Sequence, residues 1–119
     1  MLARPFRITK KEDFEAAYRQ GKNFSLGPIV MIVRDNGSNS TRFGVVASTK
    51  FSKKAVERNR IKRQIREILR KNKENVRSGQ DIVISVRKTN SRARYSSFEL
   101  KTAILESLRK AKLINEKKK

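Results

Sequence analysis

Between Lys50 and Arg70 the chain carries nine Lys or Arg against two Glu, and it has no His and no Cys at any position. The chemistry open to such a set is the holding of phosphates rather than proton transfer or soft-metal ligation. Within the stretch Ile61, Ile65, Ile68 and Leu69 recur at i, i+4, i+7 and i+8, the spacing of a helix with one buried face. Turned roughly 100° to 160° from that stripe are Asn59, Arg63, Arg66 and Arg70, with Lys62 on the shoulder. A helix seated on a core in this way holds its cations in a fixed row, and a fixed row suits a polyphosphate strand. A charge run that served only solubility would alternate in sign, and that alternation is nearly absent here. Lys50, Lys53 and Lys54 form the turn ahead of the helix, where ammonium groups and helix N-terminal amides could share a phosphate.

A second constellation is aromatic. Phe14 and Tyr18 lie four residues apart and share a helical face with Ala17. That pattern fits core packing of an amphipathic helix, and it equally fits a platform on which unpaired bases stack. Arg7 and Lys10 precede this helix, as a solvated arm or as phosphate contacts. The eleven carboxylates are scattered. Their one cluster, Glu12, Asp13 and Glu15, sits where a helix N-terminus favours negative charge. A nuclease site borne by the protein would need paired carboxylates to hold metal ions, or a His to move protons. No catalytic and no metal-ligating residue is therefore assigned. Arg92 and Arg94 are basic without a motif and stay unassigned.

The elements that must position these residues are legible as periodicities. At 119 residues one domain is expected, burying about 60 to 70% of its unfolded surface. Thr9 followed by Glu12 reads as a capping box opening a helix that runs to about Gln20 and stops at Gly21. Asn23 to Leu26 reads as a short edge strand, and the apolar run from Pro28 to Arg34 as a strand buried on both faces. Asp35-Asn36-Gly37-Ser38-Asn39-Ser40 reads as a hairpin loop, with Phe43 to Ser48 returning as the second strand of that hairpin. Ser52 is placed as the cap of the basic helix, which ends near Asn72. Gln80 to Arg87 is a further buried strand. Ser96 with Glu99 forms another capping box, before a helix with the stripe Leu100, Ile104, Leu108 and Ala111. The expected order is α-β-β-β-α-β-α, an α+β domain with a mixed four-stranded sheet, and residues 1–6 and 114–119 as flexible basic ends. A net charge of +20 implies a polyanionic partner. No stretch is apolar enough to span a membrane. Met1-Leu2-Ala3-Arg4-Pro5 leads into charged sequence without an apolar signal region, so a cytoplasmic protein is expected.

Arg58-Asn59-Arg60-Ile61-Lys62-Arg63, preceded by Lys53-Lys54-Ala55-Val56 and followed by Arg66-Glu67, resembles the signature of the bacterial ribonuclease P protein subunit family. Arg7-Ile8-Thr9-Lys10-Lys11-Glu12-Asp13-Phe14, Gly21, Phe43-Gly44-Val45-Val46-Ala47-Ser48 and Asp81-Ile82-Val83-Ile84 resemble the matching family segments in the same order. The resemblance covers nearly the whole chain from Arg7 onward. It implies a fold shared with a domain of a ribosomal protein and of elongation factor G, with a left-handed crossover. It also implies an RNA-binding protein subunit of a tRNA 5′-maturation endoribonuclease whose catalytic RNA cleaves precursor tRNA with bound Mg²⁺. On that pattern Arg58, Asn59, Arg60, Lys62, Arg63 and Arg66 would dock on the catalytic RNA, with Lys50, Lys53, Lys54 and Arg70 beside them. Phe14 and Tyr18, with Arg7 and Lys10, would meet the single-stranded 5′ leader. A third cleft aromatic of some relatives aligns near Ile32, which cannot stack comparably. No small-molecule substrate and no cofactor of the chain's own is implied. Charge, size and the lack of His and Cys also suit a structural ribosomal or ribonucleoprotein-assembly protein, which the ordered motif set separates from the first reading.

Overall fold

The computed structural model describes residues 6–87 and 95–114. Of the ends expected to be flexible, 1–6 and 114–119, residues 1–5 and 115–119 lie outside the described residues, as do Arg92 and Arg94. Helix α1 (Lys11–Gln20) is followed by strands β1 (Lys22–Leu26), β2 (Ile29–Asp35) and β3 (Arg42–Val46), then helix α2 (Ala55–Asn72). A short 3-10 turn, Lys73–Asn75, leads to strand β4 (Gln80–Val86) and helix α3 (Ser97–Lys110). The order is the α-β-β-β-α-β-α of the sequence reading, in one α+β domain with a mixed four-stranded sheet.

The pairing corrects that reading at one place. β2 and β3 do not form a hairpin: the sheet order is β1-β2-β4-β3. β4 takes the edge of β2 in antiparallel register, Ile29 opposite Val86 through Asp35 opposite Gln80, and β3 lies beyond it in parallel. The physical reason is burial. Ile82, Val83 and Ile84 are wholly inaccessible, and a strand apolar on both sides belongs at the centre of a sheet. The Asn-Gly signal is used differently. Asn36 Nδ2 donates to Ser40 O at 3.0 Å and to Asp81 Oδ1 at 2.9 Å, tying the loop across the start of β4. The hairpin that does form joins β1 and β2, with Leu26 opposite Ile29 and Gly27 at φ +57°, a conformation glycine adopts without steric cost.

Side-chain alternation gives the sheet two unequal faces. Ile29, Met31, Phe43, Val45, Ile82 and Ile84 form the larger core with Ile61, Ile65, Ile68 and Leu69 of α2 and Leu100, Ile104 and Leu108 of α3. The smaller core is Ile8, Ile32 and Val83 with Ala17 of α1. Thus α1 lies on one face, α2 and α3 on the other. Burying the α2 stripe stabilises the fold by on the order of 1.5 to 3 kcal/mol per side chain. It also fixes the helix's rotation, and with it the direction in which its cations point.

Two expected caps are displaced. Thr9 does not cap α1; Lys10 is the N-cap and makes no side-chain cap bond. The Ile8 amide donates to Phe43 O at 2.8 Å, so the chain stays extended along β3 one residue past Thr9. Nor does Ser52 cap α2, whose N-cap is Lys54. Instead Ser52 Oγ accepts from the Lys54 amide at 3.2 Å and donates to Glu57 Oε1 at 2.6 Å. The Ser96–Glu99 capping box is present as expected. Phe6 and Ile114, assigned to loose ends by the sequence, are partly buried on the main core.

Candidate nucleic-acid interface

Helix α2 turns Asn59 and Arg63 into solvent, with Lys62 and Arg66 half-exposed beside them. Among the described residues neither Lys62 nor Arg63 is in a salt bridge. Their charge is free for a ligand, and so is that of the exposed Lys53 and Lys54. Lys50 is likewise exposed, its amide bonded to Ser48 Oγ. The other cations of the row are partly engaged inside the protein. Arg58 Nη1 donates to Ser52 O at 2.9 Å, bracing the turn ahead of the helix. Arg60 reaches Gln64 Oε1 at 3.4 Å, and its Nη2 is buried without a partner. Arg70 pairs with Glu67 one turn back, Nη2 to Oε2 at 2.5 Å. That hydrogen bond holds the Glu67 carboxyl down at about 2. The row expected from the sequence is therefore graded: Lys62 and Arg63 are open charges, the half-buried Arg66 is likewise in no salt bridge among the described residues, and Arg58 and Arg70 are already occupied.

Phe14 and Tyr18 are brought to one side of α1 with different exposures. Tyr18 is 51% exposed. Phe14 is half-buried and packs on the smaller core. A Cβ on Gly44 would stand 2.6 Å from Phe14 Cε1, so the Phe14 ring lies against bare backbone of the edge strand β3. Gly21 at the far end of α1 serves the same purpose, since a Cβ there would meet Ile32 Cγ2 at 2.5 Å. Its φ of −82° makes it a close-approach glycine and not a left-handed cap. Lys10 is exposed at the start of the helix.

Sequence reasoning missed the network that fixes α1 in place. Asp81 is wholly buried and stands in register with Arg34 of β2 and Arg42 of β3. Arg42 donates to it through Nε at 2.9 Å and Nη2 at 2.7 Å, and Arg34 Nη1 lies at 3.4 Å. From the same guanidinium, Nη1 reaches Asp13 Oδ2 of α1 at 3.2 Å. The hydrogen bond to Asp81 raises Arg42 above its ordinary value. One arginine thus binds strand to helix, and the only sequence signal was an Asp inside an apolar strand. Arg7 is half-buried ahead of α1. It bridges to Phe43 on the outer edge of β3, and after burial its charge is what lowers the nearby Arg66 guanidinium. Arg7 therefore stands between the aromatic and the cationic surfaces. Among the described residues no group of three carboxylates lies close enough to hold a metal ion, and no helix is long and apolar enough to cross a membrane.

Fold and site together define a small, strongly basic α+β protein that presents a cation row from one helix and aromatics from another, on opposite faces of one sheet. A family model described as Ribonuclease P matches residues 2–112, and the chain belongs to that ribonuclease P protein family. It is similar to the ribonuclease P protein component of Cyanothece sp., at 38% identity covering 90% of this chain and 95% of the relative. The corresponding protein of Alkaliphilus oremlandii is 37% identical, with 92% and 93% covered. Among solved structures, the Staphylococcus aureus RNase P protein superposes with a TM-score of 0.80 at 28% identity over 92% of this chain and 98% of that one. The Thermotoga maritima protein gives 0.78 at 34% identity over 87% and 96%. Membership makes the chain a component of a tRNA-processing ribonuclease with a partner RNA subunit.

Proposed function

We propose that this chain is the RNA-binding subunit of ribonuclease P, docking on the catalytic RNA through α2 and extending the substrate site along the 5′ leader of precursor tRNA through α1. The observation that carries the reading is the separation of the two surfaces: open cations of α2 on one face of the sheet, the exposed Tyr18 beside Phe14 on the other. A duplex-rich RNA is held mainly by charge, and Lys62, Arg63, Lys53 and Lys54 supply unpaired charge. A single strand is held by stacking inside a cationic groove, at roughly 1 to 3 kcal/mol per stacked base. Every base has a π-face, so such a surface tolerates many leaders. Bond cleavage belongs to the RNA. Asp13 and Asp81 are bound up with Arg42, and among the described residues no group of carboxylates is placed to hold a metal ion; on this reading the Mg²⁺ of the reaction is assigned to the RNA subunit. Reconstitution tests the reading. At low Mg²⁺, adding this protein to a bacterial ribonuclease P RNA should produce leader release from precursor tRNA, and the protein alone should release none. No gain on adding the protein would sink it.

A further inference from the structure

A groove of about 1060 Å³ opens between α2 and the first turn of α3. On the α2 side its wall carries Lys62, Arg63 and Lys71, and on the α3 side Phe98 and Lys101. Phe98 is 76% exposed, whereas the other five phenylalanines are buried or half-buried. It stands off the Leu100–Ile104–Leu108 stripe, so the core has no use for its ring. The backbone that carries the ring is nonetheless fixed. Ser96 Oγ accepts from the Glu99 amide at 3.0 Å and Glu99 Oε1 accepts from the Ser96 amide at 2.8 Å, which pins the turn carrying it. The carboxylate on the groove wall, Glu67, is turned to Arg70 at 2.5 Å. What remains is an exposed aromatic face in a groove lined by six cations, Arg60 and Arg66 included. An apolar protein segment would leave those charges desolvated and unpaired, whereas a nucleotide satisfies both features at once.

We propose that this groove takes one unpaired nucleotide of the RNA subunit, its base stacked on Phe98 and its flanking phosphates on Arg63 and Lys101. The inference rests on the docking reading above and adds to the cation row a contact of a different kind, one that reads an unstacked base. It makes α3 part of the interface, although the sequence gives α3 only a core stripe.

The test is the affinity of the full chain for a bacterial ribonuclease P RNA across salt concentrations, comparing wild type with Phe98→Ala, Phe98→Tyr and Arg63→Ala. Phe98→Ala should weaken binding about 5- to 150-fold, the range of a lost stack, with the salt slope and the melting temperature unchanged. Phe98→Tyr should bind like wild type. Arg63→Ala should make the salt slope shallower instead. If Phe98→Ala binds as wild type does while Arg63→Ala is weakened, the inference is overturned and the docking reading stands. If wild type fails to bind the RNA, or Arg63→Ala is without effect, the docking reading falls and this inference with it. Equal losses in the Ala and Tyr variants would exclude stacking. Sedimentation of the free protein supplies the last arm: a wild-type dimer that Phe98→Ala turns into a monomer, with RNA affinity intact, would show a second copy in the groove and overturn the proposal.

Discussion

Tyr18 and Phe14 sit one helical turn apart and meet different fates, because one faces solvent and the other faces Gly44. Their pairing on a shared face was legible from spacing alone, since helical periodicity is local. The packing of Phe14 over β3 was not, because it depends on a strand almost thirty positions away. The same division separates the cations. Which ones leave the helix together could be read from a wheel. That Arg58 and Arg70 are already hydrogen-bonded could not, since it rests on rotamers and on the shape of the preceding turn. The Glu67–Arg70 pair gives a residue-level check. The Glu67 carboxyl is held at about 2 against an ordinary 4.5, first by the Arg70 hydrogen bond. A group whose value is depressed on folding stabilises the fold fully above the ordinary value, and that contribution is lost as pH falls from about 4.5 towards 2. On an exposed helix face the effect on stability should be small and screened by salt. An NMR titration of the Glu67 carboxyl should place its midpoint near 2, and Arg70→Ala should move it back up. A wild-type midpoint at the ordinary value would contradict the pairing.

At the scale of elements, periodicity found every α-helix and strand among the described residues, and the expected β2–β3 hairpin was the pairing it got wrong. Asp35-Asn36-Gly37 between two apolar runs is a sound local hairpin signal, but local signals do not say which edge a strand will take. The buried β4, with Ile82, Val83 and Ile84 at its centre, arrives from beyond α2 and needs both neighbours, and Asp81 offers Arg34 and Arg42 a shared partner only when β4 lies between them. The basic helix was legible in extent and in buried face because its stripe is regular; its start was not, because the cap is made by a turn rather than by one side chain. Arg58 belongs to that turn. Arg58→Ala should lower the free energy of unfolding by about 1 kcal/mol, the scale of a half-exposed charged hydrogen bond, measured by urea denaturation. Arg63→Ala should leave the midpoint where it is, since an exposed position off the stripe has little to lose. If the two variants were equally destabilised, the grading of the cation row would be wrong.

For the molecule as a whole, a net charge of +20 on 119 residues makes the folded state repel itself. Raising the ionic strength from about 0.01 to about 0.15 M shortens the screening length from roughly 30 to roughly 8 Å. The melting temperature of the free protein should rise over that range, and rise further with a bound polyanion. A melting temperature that fell with salt would mean that attractive surface pairs outweigh the repulsion. The two surfaces on opposite faces of the sheet make the central claim separable by one measurement, the affinity of the reconstituted holoenzyme for tRNA with and without a 5′ leader. Tyr18→Ala should remove the advantage that the leader confers, by the equivalent of about 1 to 3 kcal/mol, while mature tRNA and the catalytic RNA bind as before and the melting temperature holds. Arg63→Ala with Arg66→Ala should weaken assembly on the catalytic RNA and leave the leader's advantage intact once the complex is saturated. Losses from both variants in the same proportion, for leadered and leaderless tRNA alike, would contradict a two-sided protein.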